Sequence, residues 1–164
     1  MQSDHKVKKT SGRKVRKNLS AYAAKMYLGQ EVWNNYFKFC FERNPYDKAI
    51  SLYFWHTRNF EKCPDINEYI QRMSQSQLSN WHVYTINDQV AVDFVGKYEK
   101  LDEDLRIVTN KLGLPDYALP KAKGHSRTSH QHYSKLLDKE SRHHIEKMCA
   151  NEIETFKYGW ESSE

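Results

Sequence analysis

Nowhere does the chain hold eighteen apolar residues in a row, so no membrane-spanning helix is expected. The basic N-terminus has no apolar segment behind it, which sets aside a secretory signal. Cysteine is scarce. Cys40, Cys63 and Cys149 lie far apart, are odd in number and form no CxxC pair, so neither a disulfide framework nor a thiolate metal site is expected. They read as free thiols of a reducing compartment, and the expected location is cytoplasmic. Acidic residues are nearly missing from residues 1–17, where Asp4 faces seven Lys and Arg for a net charge of +6. The other residues carry 19 basic and 20 acidic side chains, so the overall net charge of +5 belongs to this arm. A general nucleic-acid surface on the folded body is therefore not implied, although the arm itself could contact polyanions. Its other reading is a solvated, disordered tail.

What is present fits one domain. The chain has 164 residues, 38% of them hydrophobic and 13% aromatic, enough for a core of modest thickness. Residues 1–17 are taken as an arm and 18–160 as the folded domain. Ser20 caps a helix expected through Leu28, ended by Gly29. YFKFCFER (36–43) alternates, with Phe37, Phe39, Phe41 and Arg43 on one side, which predicts a strand with one strongly apolar face. Asn44 and Pro45 then read as N-cap and first residue of a helix to about Thr57, with Asp47 in its first turn. Asp65-x-x-Glu68 opens a short helix to about Ser74. WHVYTI (81–86) and VAVDFVG (90–96) are strand candidates around the turn at Asn87–Gln89. A helix from Asp102 closes at Gly113, and Asp138 opens a last helix to about Lys157. Ile145, Met148, Cys149, Ile153 and Phe156 are its core-facing positions. The fold class is α/β, with few strands covered by helices.

FERNPYDKAIS (41–51) is the junction where chemistry is expected. Arg43 at a strand's C-terminal end reaches the crevice in which α/β folds bind ligands. The helix opened by Asn44 offers free N–H groups and partial positive charge, and arginine is a forked donor that suits phosphate. Ser51 shares the helix face of Asn44, so its hydroxyl can address the same anion. A surface salt bridge is the plainer role for such an arginine.

RNPYDKAISLYFW (43–55) resembles the 3′-phosphate-binding motif of sulfotransferases that use 3′-phosphoadenosine 5′-phosphosulfate (PAPS), in particular the carbohydrate-sulfotransferase branch and its bacterial relatives. VDFVGKYEKLDEDL (92–105), LPKAKG (119–124) and EIETFKYGW (152–160) continue the resemblance in family order. It implies a P-loop-like sulfotransferase fold and transfer of a sulfuryl group from PAPS, without metal, to an acceptor hydroxyl, most simply on a carbohydrate. Arg43 and Ser51 match the residues that hold the 3′-phosphate. Asn44 would add the helix start, and Lys123 and Arg127, from the family's basic loop, would close over the nucleotide.

The family's glycine loop for the 5′-phosphosulfate, between a strand and a helix, has no counterpart before Arg43. Gly12 is the one glycine among the first 28 residues, and SGRK (11–14) lacks both the strand and the helix. The expectation is a partial fold, the C-terminal part of such a domain, with its catalytic base unknown. The alternative is a non-catalytic remnant or interaction module, able to self-associate through an unpaired sheet edge. Glu99 reads as a cap or ion-pair residue rather than a base. His125, His130, His132, His143 and His144 read as solvated, not as metal ligands. Trp33, Trp55 and Trp81 read as core or interface anchors.

Overall fold

A computed structural model describes residues 19–115, 119, 129 and 131–161. The arm over 1–17 and the candidates Lys123, Arg127, His125 and His130 lie outside them. Helix α1 (Ala21–Leu28) starts where the Ser20 hydroxyl accepts the Ala23 N–H at 3.2 Å and stops at Gly29, whose φ of +84° suits glycine. A second helix, α2 (Gln30–Asn35), follows at once. It extends to the start of the expected strand, so β1 is only Phe39–Glu42. Helix α3 (Pro45–Thr57) begins as the sequence predicts, with the Asn44 side-chain oxygen accepting the Tyr46 N–H at 3.0 Å.

Asp65 caps α4 (Ile66–Gln71), and Ser74 with Gln77 frames the short α5 (Gln75–Leu78). The stretch WHVYTI departs from expectation. Trp81–Tyr84 is a helical turn, α6, and only β2 (Thr85–Ile86) is extended. The reason is distant in sequence: Glu152 Oε1 accepts the N–H groups of Asn80 (2.9 Å) and Trp81 (3.2 Å) and the Ser79 hydroxyl (2.6 Å). A buried carboxylate thus supplies the N-terminal acceptor that starts a helical turn. The second strand candidate divides in two. Strand β3 (Gln89–Val90) turns back antiparallel onto β2 through Asn87 and Asp88, both at positive φ, and β4 (Phe94–Lys97) pairs parallel with β1. Helix α7 (Leu101–Leu112) ends at left-handed Gly113. The last helix breaks at Cys149 into α8 (Lys139–Met148) and α9 (Ala150–Phe156).

The molecule is therefore mixed α/β with few strands, as the sequence predicts, and its strands form a small parallel pair and a small antiparallel pair. Its main core lies among helices, where Tyr46, Ile50, Ile70, Leu78 and Ile145 pack together. The strand face is reversed from expectation at one point. Phe39 is 40% exposed, whereas Glu42, on the opposite face, is 1% exposed. Lys48 from α3 explains the inversion, because its ammonium meets the Glu42 carboxylate at 2.9 Å inside the protein. No helix among the described residues is long and apolar enough to cross a membrane.

Candidate functional site at the parallel strand ends

The parallel register sets Glu42 beside Lys97, so the residues after each strand emerge at the same end: Arg43 and Asn44 from β1, Tyr98 and Glu99 from β4. This is the end at which parallel sheets bind ligands. Gly96 makes the close approach possible, since a Cβ there would lie 2.5 Å from the Phe41 ring.

Arg43 is held on two sides. Its Nε donates to Asp47 Oδ2 at 2.8 Å, and Nη2 donates to the same oxygen. The guanidinium carbon sits 4.7 Å from the centre of the Tyr98 ring. Nη1 donates to nothing among the described residues, so one edge of the guanidinium is uncommitted. The backbone beneath it is fixed as well, because the Arg43 N–H donates to Glu42 Oε1 at 3.0 Å.

Asn44 is placed differently from the expectation that its end of the helix is open. Its N–H donates to Glu99 Oε1 at 2.7 Å, and its side chain is spent on the cap. Glu99 is thus a backbone-capping carboxylate, as the sequence reading had it. Glu99 Oε2 also accepts from the Tyr158 hydroxyl at 3.4 Å. Burial first, then the Glu99 and Glu42 carboxylates, hold the Tyr158 phenol above its ordinary pKa, so it stays a donor. Ser51 lies half-buried on α3, two turns below Asn44, with no hydrogen bond from its hydroxyl among the described residues. Helix rise puts it about 9 Å along the axis from Pro45.

Sequence reasoning missed Tyr98, an aromatic directly after β4, and, although it weighed a salt bridge for Arg43, did not name Asp47 as the partner that the structure shows. The second had a signal, since Arg and Asp four positions apart meet where a strand passes into a helix. His132 and His144 are used locally, on Ser134 (2.8 Å) and on the Met73 carbonyl (2.8 Å). Trp33 is 9% exposed, the expected anchor, while Trp55 lies under the Arg58 guanidinium at 3.9 Å. A separate, mostly apolar recess of about 320 Å³ opens beside the first half of β1, lined by Leu19, Trp33, Phe37 and Val83 among others.

A parallel strand pair that delivers an arginine and a capped helix start to the same end of the sheet belongs to an α/β protein. The family is also shown directly. The model of the sulfotransferase family matches residues 1–159, and the chain belongs to that family. It is also similar to an uncharacterized protein of Archaeoglobus fulgidus, 35% identical over 103 residues that cover 60% of this chain and 85% of that one. No solved structure matches the chain. Membership implies sulfotransferase-like chemistry with a nucleotide donor, which in this family is generally PAPS, and a hydroxyl acceptor.

Proposed function

We propose that the strand-end crevice binds the 3′-phosphate of PAPS, with Arg43 as its charged donor and Ser51 as its hydroxyl donor. The protein then serves transfer of a sulfuryl group to an acceptor hydroxyl, a carbohydrate being the first acceptor class to try. The observation that carries this reading is the uncommitted Nη1 edge of Arg43, next to a helix start and fixed at its other edge. A phosphate oxygen meeting that edge gains a charge-assisted hydrogen bond without displacing a protein partner. Ser51 adds a second donor farther down the same helix. Asn44 acts through the helix it starts.

Arg43 and Ser51 supply binding and orientation, and the sulfur is transferred elsewhere in the site. Anchoring the donor by its 3′-phosphate fixes the reacting end and turns an encounter into an oriented approach. Stabilising the charge that develops at the sulfuryl group falls to other residues, and none of the described residues forms a glycine loop for that purpose. The reading is tested by calorimetric titration of adenosine 3′,5′-bisphosphate into wild type, Arg43→Ala and Ser51→Ala. Arg43→Ala is expected to weaken binding by about 2 kcal/mol or more, and Ser51→Ala by about 1 kcal/mol. Equal affinity in wild type and Arg43→Ala refutes the site.

A further inference from the structure

Resting on this assignment of Arg43, we propose that Asp47 and Tyr98 are positioning residues that orient the Arg43 guanidinium toward the 3′-phosphate. A guanidinium is a rigid plane with five N–H donors, so holding one edge and one face determines where the remaining edge points. Asp47 holds the edge, since one carboxylate oxygen takes both Nε (2.8 Å) and Nη2. Tyr98 holds the face, with its ring centre 4.7 Å from the guanidinium carbon. Nη1 is left over, and it is the donor the phosphate needs.

The fold builds this arrangement from two separate elements. Asp47 is in the first turn of α3, whose start is fixed by the Asn44 cap and Pro45. Tyr98 directly follows Lys97, which the register sets beside Glu42. Strand pairing therefore brings the ring beneath the arginine, and helix capping brings the carboxylate beside it. The pair is partly buried, with side-chain exposures of 23% for Arg43 and 26% for Asp47, so solvent only partly weakens it.

The proposal has a sign that can fail. Asp47 carries a negative charge close to where an anion would bind, so if it merely occupied Arg43 its removal would tighten binding. If it positions Arg43, its removal weakens binding despite the relief of repulsion. The test titrates adenosine 3′,5′-bisphosphate, and adenosine 5′-monophosphate as a ligand without the 3′-phosphate, into wild type, Asp47→Asn, Asp47→Glu, Tyr98→Leu, Arg43→Ala and the Arg43→Ala/Asp47→Asn double variant. Asp47→Asn is expected to lose about fivefold in bisphosphate affinity, and Tyr98→Leu about threefold. Asp47→Glu is expected to recover part of the loss. Asp47→Asn should cost nothing further in the Arg43→Ala background and should leave the monophosphate unaffected, which a general loss of structure would not do. Unchanged or tighter bisphosphate binding in Asp47→Asn, with Arg43→Ala still weakened, overturns the positioning role and leaves the phosphate site standing. Unchanged binding in Arg43→Ala overturns both. If Asp47→Asn melts before it can be titrated, Asp47→Ser takes its place, and full affinity in Asp47→Ser and Tyr98→Leu together overturns the proposal.

Discussion

Replacing Lys48 by methionine keeps the length and bulk of the stem and removes only the cation. Its partner Glu42 is 1% exposed, and the Lys48 side chain is 10% exposed, so the charge left behind has little access to water. Glu42 Oε1 would retain the Arg43 N–H at 3.0 Å and the Asn80 amide at 3.3 Å, while Oε2 has no hydrogen-bond partner among the described residues. Breaking a buried ion pair at one end costs about 3–5 kcal/mol, and the two surviving donors place this case near about 3 kcal/mol. Adding Glu42→Gln removes the stranded charge while the side-chain carbonyl can still accept the Arg43 N–H. The double variant should therefore recover to within about 1–2 kcal/mol of wild type. Urea unfolding followed by far-UV circular dichroism reads both values, provided the denaturant slope is unchanged. If Lys48→Met alone stays within about 1 kcal/mol of wild type, or the double variant is no better than the single, the burial argument is wrong.

Gly96→Ala places a methyl group 2.5 and 2.7 Å from two carbons of the Phe41 ring and 3.1 Å from the Asp104 Cβ. It should destabilise by about 1–3 kcal/mol, with partial relief from Phe41→Leu in the same chain, read by urea titration. The cysteines should react unequally with a chromogenic disulfide reagent at pH 8. Cys63 is exposed and reacts first. Burial, then the Glu42 charge, pushes the Cys40 thiol up to about 12, and burial pushes Cys149 up to about 12, so both should lag until the protein unfolds. Asp93 accepts from the Lys38 ammonium and backbone N–H, each at 2.7 Å, which holds its carboxyl below the usual range. A depressed folded-state pKa means the contribution is complete above the unfolded value of about 3.8 and is lost as pH falls through the lower folded value. Asp93→Asn should therefore lower stability modestly at pH 7, and its difference from wild type should close as pH falls through the folded value, which flattens the acid limb of the profile.

The parts of the fold legible in the sequence are those written locally. Ser20 and Gly29 bound α1, Asn44–Pro45 opens α3, Asp65 opens α4, and Gly113 closes α7, because caps depend on residues within a turn of the boundary. The misreadings come from partners far along the chain. Trp81–Tyr84 has the composition of a strand and becomes a helical turn because Glu152 accepts its leading N–H groups. Alternation in 36–43 could not show that Lys48 would draw Glu42 inward and leave Phe39 in solvent. The same division holds at the site. Arg43 at a strand end and Asp47 in the first turn could be placed from neighbours, whereas Glu99 reaches the Asn44 N–H across 55 residues. Tyr98 meets Arg43 only through the parallel register.

Charge at the strand ends argues for donors beyond the described residues. Arg43 is matched by Asp47, and the Glu99 carboxylate lies on the Asn44 N–H. Lys97 is turned away, its ammonium donating to the Phe156 carbonyl at 2.9 Å and sitting 5.1 Å over the Tyr158 ring. Arg43 and Lys97 thus stand against Asp47 and Glu99, so these four groups together offer an anion almost no net attraction. Lys121, Lys123 and Arg127 are the cations that the sequence places in its basic loop, and on our reading Lys123 and Arg127 supply the missing attraction. The Lys123→Ala/Arg127→Ala variant should then bind adenosine 3′,5′-bisphosphate more weakly at low salt and converge on wild type as salt rises, because screening removes a long-range term first. Arg43→Ala should lose affinity by nearly the same factor at every salt concentration, since a direct, partly buried hydrogen bond is screened little. If the two variants show the same salt dependence, Lys123 and Arg127 either touch the phosphate directly or do not act on it. The size of the loss decides between them: a large one means contact, and none means the site draws its ligand by Arg43 and Ser51 geometry with no help from the loop.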